Sequence, residues 1–355
     1  MRSAPELLLA LVPLALGAAC GAKPVLPLDY RRALQLERRG EHRGAIEAYA
    51  AASRSCGPDA ALCDVARLRG AQLLTKVGQH QAALRAFQRL GQSTLDPETG
   101  ARALLEAGRL LEGPLREPHG ALGLYQQVIV RYPEEAPAVE AVRALVRLYR
   151  GSDRAASLVR LLHHLYRAVE ASRLAGNLLL AAAELYEARG ELRQAVAILD
   201  QLAERHPKSP VRDDGIYRAG TLLERLKDWE GALRRYRKLL AGQSYAFLGG
   251  SFGSIHMDDA QLRVGVIQLQ ALGRPRAALE SFAAVRDDYP RSLLRDDAQW
   301  WIAQVHLQSG HREASCAALA RLLRDFPDGN HARRARLQEA ALRCTPVGTP
   351  PRKSW

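Results

Sequence analysis

The chain has 355 residues, 47% of them apolar, which is ample for a hydrophobic core. Its formal net charge is +13, and of 51 cationic residues only six are Lys and the other 45 are Arg, a skew that a GC-rich genome produces. The basic balance favours acidic partners such as anionic lipid, lipopolysaccharide or an acidic protein face, and the absence of β-branched runs argues against a sheet. In chain order, residues 1–19 come first. They carry one cation, Arg2, then an apolar stretch from Leu7 to Leu16, then Gly17, Ala18 and Ala19 before Cys20. This pattern predicts a secretory signal, too short to serve as a spanning anchor. Export removes nucleic acid from the candidate partners. Residues 20–28 form a short tether with Pro24 and Pro27.

From residue 29 to 344 the sequence repeats a helical hairpin about eight times. A small residue is followed four on by an aromatic or aliphatic residue and three further on by an apolar one, often with a later proline. It reads Ala121, Tyr125, Val128, Pro133; Ala195, Leu199, Leu202, Pro207; Ala278, Phe282, Val285, Pro290; and Ser315, Leu319, Leu322, Pro327. With Ala45, Ala83, Ala156 and Ala232 added, the steps are 38, 38, 35, 39, 37, 46 and 37. Five residues before most small positions stands a glycine: Gly40, Gly78, Gly151, Gly190, Gly273 and Gly310. A tight turn between helices with positive φ suits them, and the prolines stop the second helix. The first helices carry sets such as Leu179, Ala182, Ala183, Tyr186 and Ile216, Ala219, Gly220, Leu223, whose small members let helices approach closely. The pattern fades over 140–168, where Arg160 and His163 take the apolar places, so a joint is expected near 138–175.

These residues resemble the tetratricopeptide repeat, whose basic unit is 34 residues. The resemblance implies an all-α, right-handed superhelical solenoid of about eight hairpins with a capping helix over 328–344, working by protein–protein contact rather than catalysis. Residues 345–355 read as a disordered tail.

Four cysteines remain beyond Cys20. Cys56 and Cys63 flank a Gly57–Pro58 turn, and Cys316 and Cys344 lie in the last unit and after it. They are either two disulfides of an oxidising compartment or four buried thiols. No zinc spacing is present. The insertion at 241–257 breaks the repeat with four glycines and Tyr245, Phe247 and Phe252, which either contact a partner or tuck under neighbouring helices. The paired acids Asp213–Asp214, Asp258–Asp259 and Asp296–Asp297 are expected to cap the helices they begin. His163, His164, His306 and His311 read as structural, and no nucleophile or metalloprotease signature occurs. No catalytic residue, metal or cofactor is expected.

The end of the signal resembles a bacterial lipobox, departing from it at Gly17 where the family usually has Leu. The resemblance implies a diacylglyceryl group on Cys20, and Gly21 in place of Asp implies sorting to the outer membrane. The other outcome is ordinary cleavage after Ala19, leaving a free thiol. The wording proline, serine, acid at each connection, as in residues 290–297, resembles periplasmic tetratricopeptide proteins of Gram-negative envelopes. Residues 296–329 look most like the cell-division coordinator beside the Tol–Pal system. The N-terminal end looks more like the lipoprotein of the β-barrel assembly machine. The implied function is a scaffold for envelope proteins or peptide segments; the alternative is a peptide- or glycan-strand-binding accessory of cell-wall enzymes. In this family first helices line the concave face. Register then nominates Tyr217, Arg263 and Trp300, with Thr221 and Gln304 beside them, as a groove where Arg takes a carboxylate and the rings give contact area.

Overall fold

The computed structural model describes residues 26–55, 60–149, 155–242 and 255–344. The described elements are all helical, and the chain divides into two units at Thr99–Gly100, within the first turn of α5. The first unit holds two hairpins, α1 (Leu28–Arg38) with α2 (His42–Ser55) and α3 (Ala60–Lys76) with α4 (His80–Ser93). The second begins with α5 (Pro97–Glu112) and α6 (Pro118–Arg131), then α7 (Ala136–Tyr149) and α8 (Ala155–Ala168). It continues with α9 (Ala175–Ala188), α10 (Leu192–Arg205), α11 (Arg212–Arg225) and α12 (Trp229–Ala241). It ends with α13 (Met257–Val266), which runs into a π-turn at Ile267–Ala271, then α14 (Pro275–Asp288), α15 (Arg295–Gln308), α16 (Arg312–Asp325) and α17 (Ala332–Ala341). The stretch 138–175 lies inside the second unit.

One correction restores the period. In α8 the fully buried residues are Leu158, Leu162 and Leu165, while Arg160 is exposed. The small position is therefore Leu158, two residues beyond Ala156. The steps become 38, 38, 37, 37, 37, 46 and 37. Leucine holds a place that small residues hold elsewhere, so the repeat reads as weak in sequence where it is regular in structure. In all eight hairpins the small position and those four and seven on are at most 2% exposed, from Ala45, Tyr49 and Ala52 to Ser315, Leu319 and Leu322. Burying each large side chain of this set contributes about 1.5–3 kcal/mol. The 46-residue step holds nine extra residues, and one of them is the π-turn. There a residue is inserted into the first helix, and buried Gln268 accepts a hydrogen bond from Ser281 at 2.8 Å.

Glycine serves two different needs. Gly40, Gly78, Gly190, Gly273 and Gly310 have φ between 60 and 79°, as the turns require. Gly151 lies outside the described residues. With Leu158 as the small position, the turn position of that hairpin is Asp153, also outside the described residues; two other hairpins without the glycine place Arg116 (φ 56°) and Lys227 (φ 58°) there. A left-handed conformation costs an L-residue about 1–2 kcal/mol. Lys227→Gly is therefore expected to raise stability by about 0.5–1 kcal/mol after the extra unfolded-state freedom of glycine is subtracted. Denaturant titration checks this, and a destabilised variant would refute it. The second need is space. A Cβ on Gly108, Gly220 or Gly265 would stand 2.5–2.6 Å from the ring of Tyr125, Tyr236 or Phe282, so these glycines seat the buried aromatics of the second helices.

Helices α6, α10, α14 and α16 each end two residues before Pro133, Pro207, Pro290 and Pro327. The intervening Tyr132, His206, Tyr289 and Phe326 leave the helical region, as a residue before proline must.

Candidate functional site

Consecutive first helices are tied by a repeated polar clasp. In α11, Glu224 near the C-terminus accepts the phenol of Tyr236 at 2.5 Å from its own hairpin and Nε of Arg263 at 2.9 Å from α13. In α5, Glu112 likewise takes Tyr125 at 2.6 Å and Arg147 of α7 at 3.4 Å. The first unit repeats the arrangement internally, with Tyr49 to Glu37 at 2.6 Å and Arg69 3.7 Å from the same carboxylate. Burial, then the hydrogen bond to its glutamate, raises each of these phenols well above the ordinary tyrosine value, so all three are neutral donors. Where the second helix has Leu199 instead of tyrosine, Glu187 binds two arginines of α11, Arg218 and Arg225.

A second clasp, present after α14 and after α16, joins the connection to the first helix of the hairpin it leaves. Asp258 and Asp296 each accept from the next residue's N–H, at 3.0 and 2.9 Å. Their reach is also forward: Ser292 donates to Asp258 at 2.6 Å, and the Asn330 amide donates to Asp296 at 2.8 Å. The expectation of capping is thus corrected. The residues preceding α11, α13 and α15 provide no side-chain cap, and the acids also fasten the following unit. A side-chain cap of the expected kind occurs at α12, where Asp228 accepts the Gly231 amide at 2.9 Å.

The five side chains nominated for a groove all lie on first helices, and each has a partner within the chain. Tyr217 stacks on His256 at 4.5 Å, and that imidazole contacts Asp214 at 2.9 Å. Trp300 stacks on His331 at 5.1 Å, which contacts Asp297 at 2.8 Å in the same way. Arg263 is bound by Glu224, which with burial opposing it raises the guanidinium's pKa further. Thr221 donates to the Arg218 carbonyl at 2.8 Å, and Gln304 pairs with Gln338 of α17 at 2.9 Å. Trp301, half-buried, stacks on Phe282. Reading one helix face from register could not reveal these partners, because the histidines stand 39 and 31 residues further along the chain.

Among the described residues this clasp is absent between α7 and α9, as it is between α13 and α15. Between α7 and α9 the second unit opens a cavity of about 380 Å³. Val139, Val142, Val146, Leu180 and Ala181 form its apolar wall, and Arg143, Arg147, Glu184, Asp214 and Asn177 stand around it. Arg143 is exposed and has no acidic partner among the described residues. Sequence reasoning missed this cleft because the register of α7 and α8 had been set two residues off. The signal was present in Val139, Val142 and Val146, an apolar row at helical spacing.

Cys316 and Cys344 form a disulfide that fastens the segment after α17 to α16. Cys63 is also disulfide-bonded, and its expected partner Cys56 lies outside the described residues. Cys20 and the loop aromatics Tyr245, Phe247 and Phe252 lie outside them as well. Among the described residues no helix is long and apolar enough to cross a membrane, and no cluster of His, Cys, Asp and Glu is placed to hold a metal.

The tetratricopeptide repeat family matches residues 102–135, 178–209, 259–292 and 297–329, so the chain carries repeats of that kind on an all-α fold. Among solved structures it is similar to YrrB, described as a tetratricopeptide protein with an unusual peptide-binding site. The identity is 17%, over 60% of this chain and 97% of that one, with a TM-score of 0.41. A tetratricopeptide protein of Parabacteroides merdae shares 18% identity over 72% of this chain and 90% of its own, with a TM-score of 0.33. The TPR2AB domain of yeast Sti1, solved with pHSP90, shares 13% over 89% and 97%, with a TM-score of 0.30. Likenesses at this level are of fold alone. No curated protein matches the chain significantly.

Proposed function

We propose that this chain is a non-catalytic adaptor of a bacterial envelope, exported, lipid-anchored through Cys20 at the outer membrane, and binding an extended segment of a partner protein in the α7–α9 cleft. Tetratricopeptide repeats support a protein partner in general. The observation that carries the site is the missing clasp. Between α5 and α7, α9 and α11, and α11 and α13 ion pairs join neighbouring first helices, whereas here an apolar wall is left open beside Arg143, which has no acidic partner among the described residues. Valine and leucine rows take the alternate apolar side chains of a peptide, and a guanidinium at the edge takes a carboxylate.

Val146 is half-buried on the wall, so Val146→Glu puts a charge in the cleft at little cost to the core. Photo-crosslinking from position 146 in cells is expected to trap a partner, and both Val146→Glu and Arg143→Ala are expected to weaken its capture by about tenfold or more with unchanged helicity and melting. Undiminished capture by both variants would remove the cleft from the argument. The anchor is tested separately: the protein should fractionate with membranes, and Cys20→Ala should release it. A wild-type protein wholly in the soluble fraction would overturn the lipid tether.

A further inference from the structure

The first unit contains a larger cavity, about 690 Å³, that the proposed adaptor role does not use. It lies between the second helices α2 and α4 and is floored by α3, so it opens on the side away from the clasped first-helix face. Its origin can be read from the repeat. Sixteen residues before the small position, α7, α9 and α11 place Val142, Leu179 and Ile216, all at most 3% exposed. In α3 that position is Arg67, whose guanidinium turns out to Asp64 at 2.9 Å. One turn later, where Leu145, Ala182, Ala219 and Ile302 stand in other first helices, α3 has Gly70. Both substitutions remove side-chain volume from the same space, and the space stays open.

Its wall is Ile46, Tyr49, Ala66, Ala71, Leu74 and Leu90, and its polar groups sit at the mouth. One of these is Arg89. It is exposed, donates to the Arg85 carbonyl at 3.3 Å, and has no acidic partner among the described residues. The exposed residues of its lining are Ala50, Arg67, Arg89, Gln92 and Ser93. A volume of several hundred Å³ with an apolar interior and a few polar groups, here Arg89 beside the Asp64-paired Arg67, is the form of a small-molecule site. We infer that this cavity binds a single-chain anionic amphiphile, a long-chain carboxylate with its tail against α3 and its head at Arg89.

The probe is dodecanoate, below its micelle concentration, titrated calorimetrically into the mature full-length protein, with its methyl ester as the uncharged control. The expected result is one saturable site that prefers the acid over the ester. Gly70→Leu should weaken it by about tenfold or more, since leucine, the residue α7 has at this position, fills the space. A Cβ at Gly70 meets the Tyr49 Cβ at 3.6 Å, an ordinary contact, so the backbone admits a side chain. Should Gly70→Leu lose its helical signal, Ala50→Trp, placed on an exposed residue at the mouth, blocks entry from outside. Arg89→Gln should weaken the acid about fivefold and leave the ester unchanged. No saturable binding at millimolar dodecanoate overturns the inference, as does binding indifferent to both the filling and the Arg89 variants. So does a protein that ignores dodecanoate but loses capture of its partner with Ala50→Trp, which would assign the cavity to a protein side chain.

Discussion

Glu224→Leu is expected to destabilise the protein by about 2–3 kcal/mol, although no part of the core loses a carbon. The phenol of Tyr236 is completely buried and has Glu224 as its acceptor. Removing the acceptor leaves an unsatisfied buried hydroxyl, which costs about 1–3 kcal/mol. Arg263 loses its partner too, but its side chain is 43% exposed and returns to water, so that loss is at most about 1 kcal/mol. The asymmetry makes the argument testable by a cycle. Adding Tyr236→Phe to Glu224→Leu removes the orphaned hydroxyl and should recover most of the loss, whereas two independent contacts would give additive losses. Arg263→Ala, at a residue that register nominates for the groove, should cost about 1 kcal/mol. Denaturant unfolding of the full chain measures all three. A neutral Glu224→Leu would show that the clasp holds nothing together.

The hairpins were legible because their signals are local. Gly190, Gly273 and Gly310 mark turns by conformation, Pro207 and Pro290 mark stops by chemistry, and the apolar spacing of 3.6 is written along each helix. Legibility failed where a position kept its role but changed its type. Leu158 fills a place held elsewhere by alanine or serine, and Lys227 fills a place held elsewhere by glycine. The structure shows what each position has to do, and only then does the substitution read as an exception. Site residues were less legible for another reason. Tyr217, Arg263 and Trp300 are on the face that register assigns them, but whether a side chain on that face is free depends on His256, Glu224 and His331. Those partners come from the turn of a later unit or the end of an earlier helix, and no periodicity within one helix encodes them.

Stability should fall steeply in alkali, by about 4 kcal/mol between pH 9 and pH 11, and the tyrosine clasps are the cause. Tyr49, Tyr125 and Tyr236 are each fully buried, with the native pKa raised far above the ordinary 10.0 by burial and then by the adjoining glutamate. Below pH 10 the phenols are protonated in both folded and unfolded chains, so they add no pH dependence. Above it the unfolded chain ionises while the native one does not; the unfolded state then binds fewer protons, and stability falls as pH rises. At pH 11, one unit above the unfolded value, each phenol contributes about 1.4 kcal/mol of loss. The cations cannot be blamed, because the partners in the clasps are arginines, which stay charged at this pH. Denaturation midpoints at pH 9 and pH 11 give the total, and the phenolate absorbance of these three should appear only as the protein unfolds. Replacing the three tyrosines by phenylalanine should flatten the profile even though it weakens the protein at pH 9. A wild-type profile already flat to pH 11, or phenolate signal from all tyrosines without unfolding, would mean that these three rings are not shut away from water, Tyr125 and Tyr236 by the close packing of Gly108 and Gly220 and Tyr49 beside Gly70.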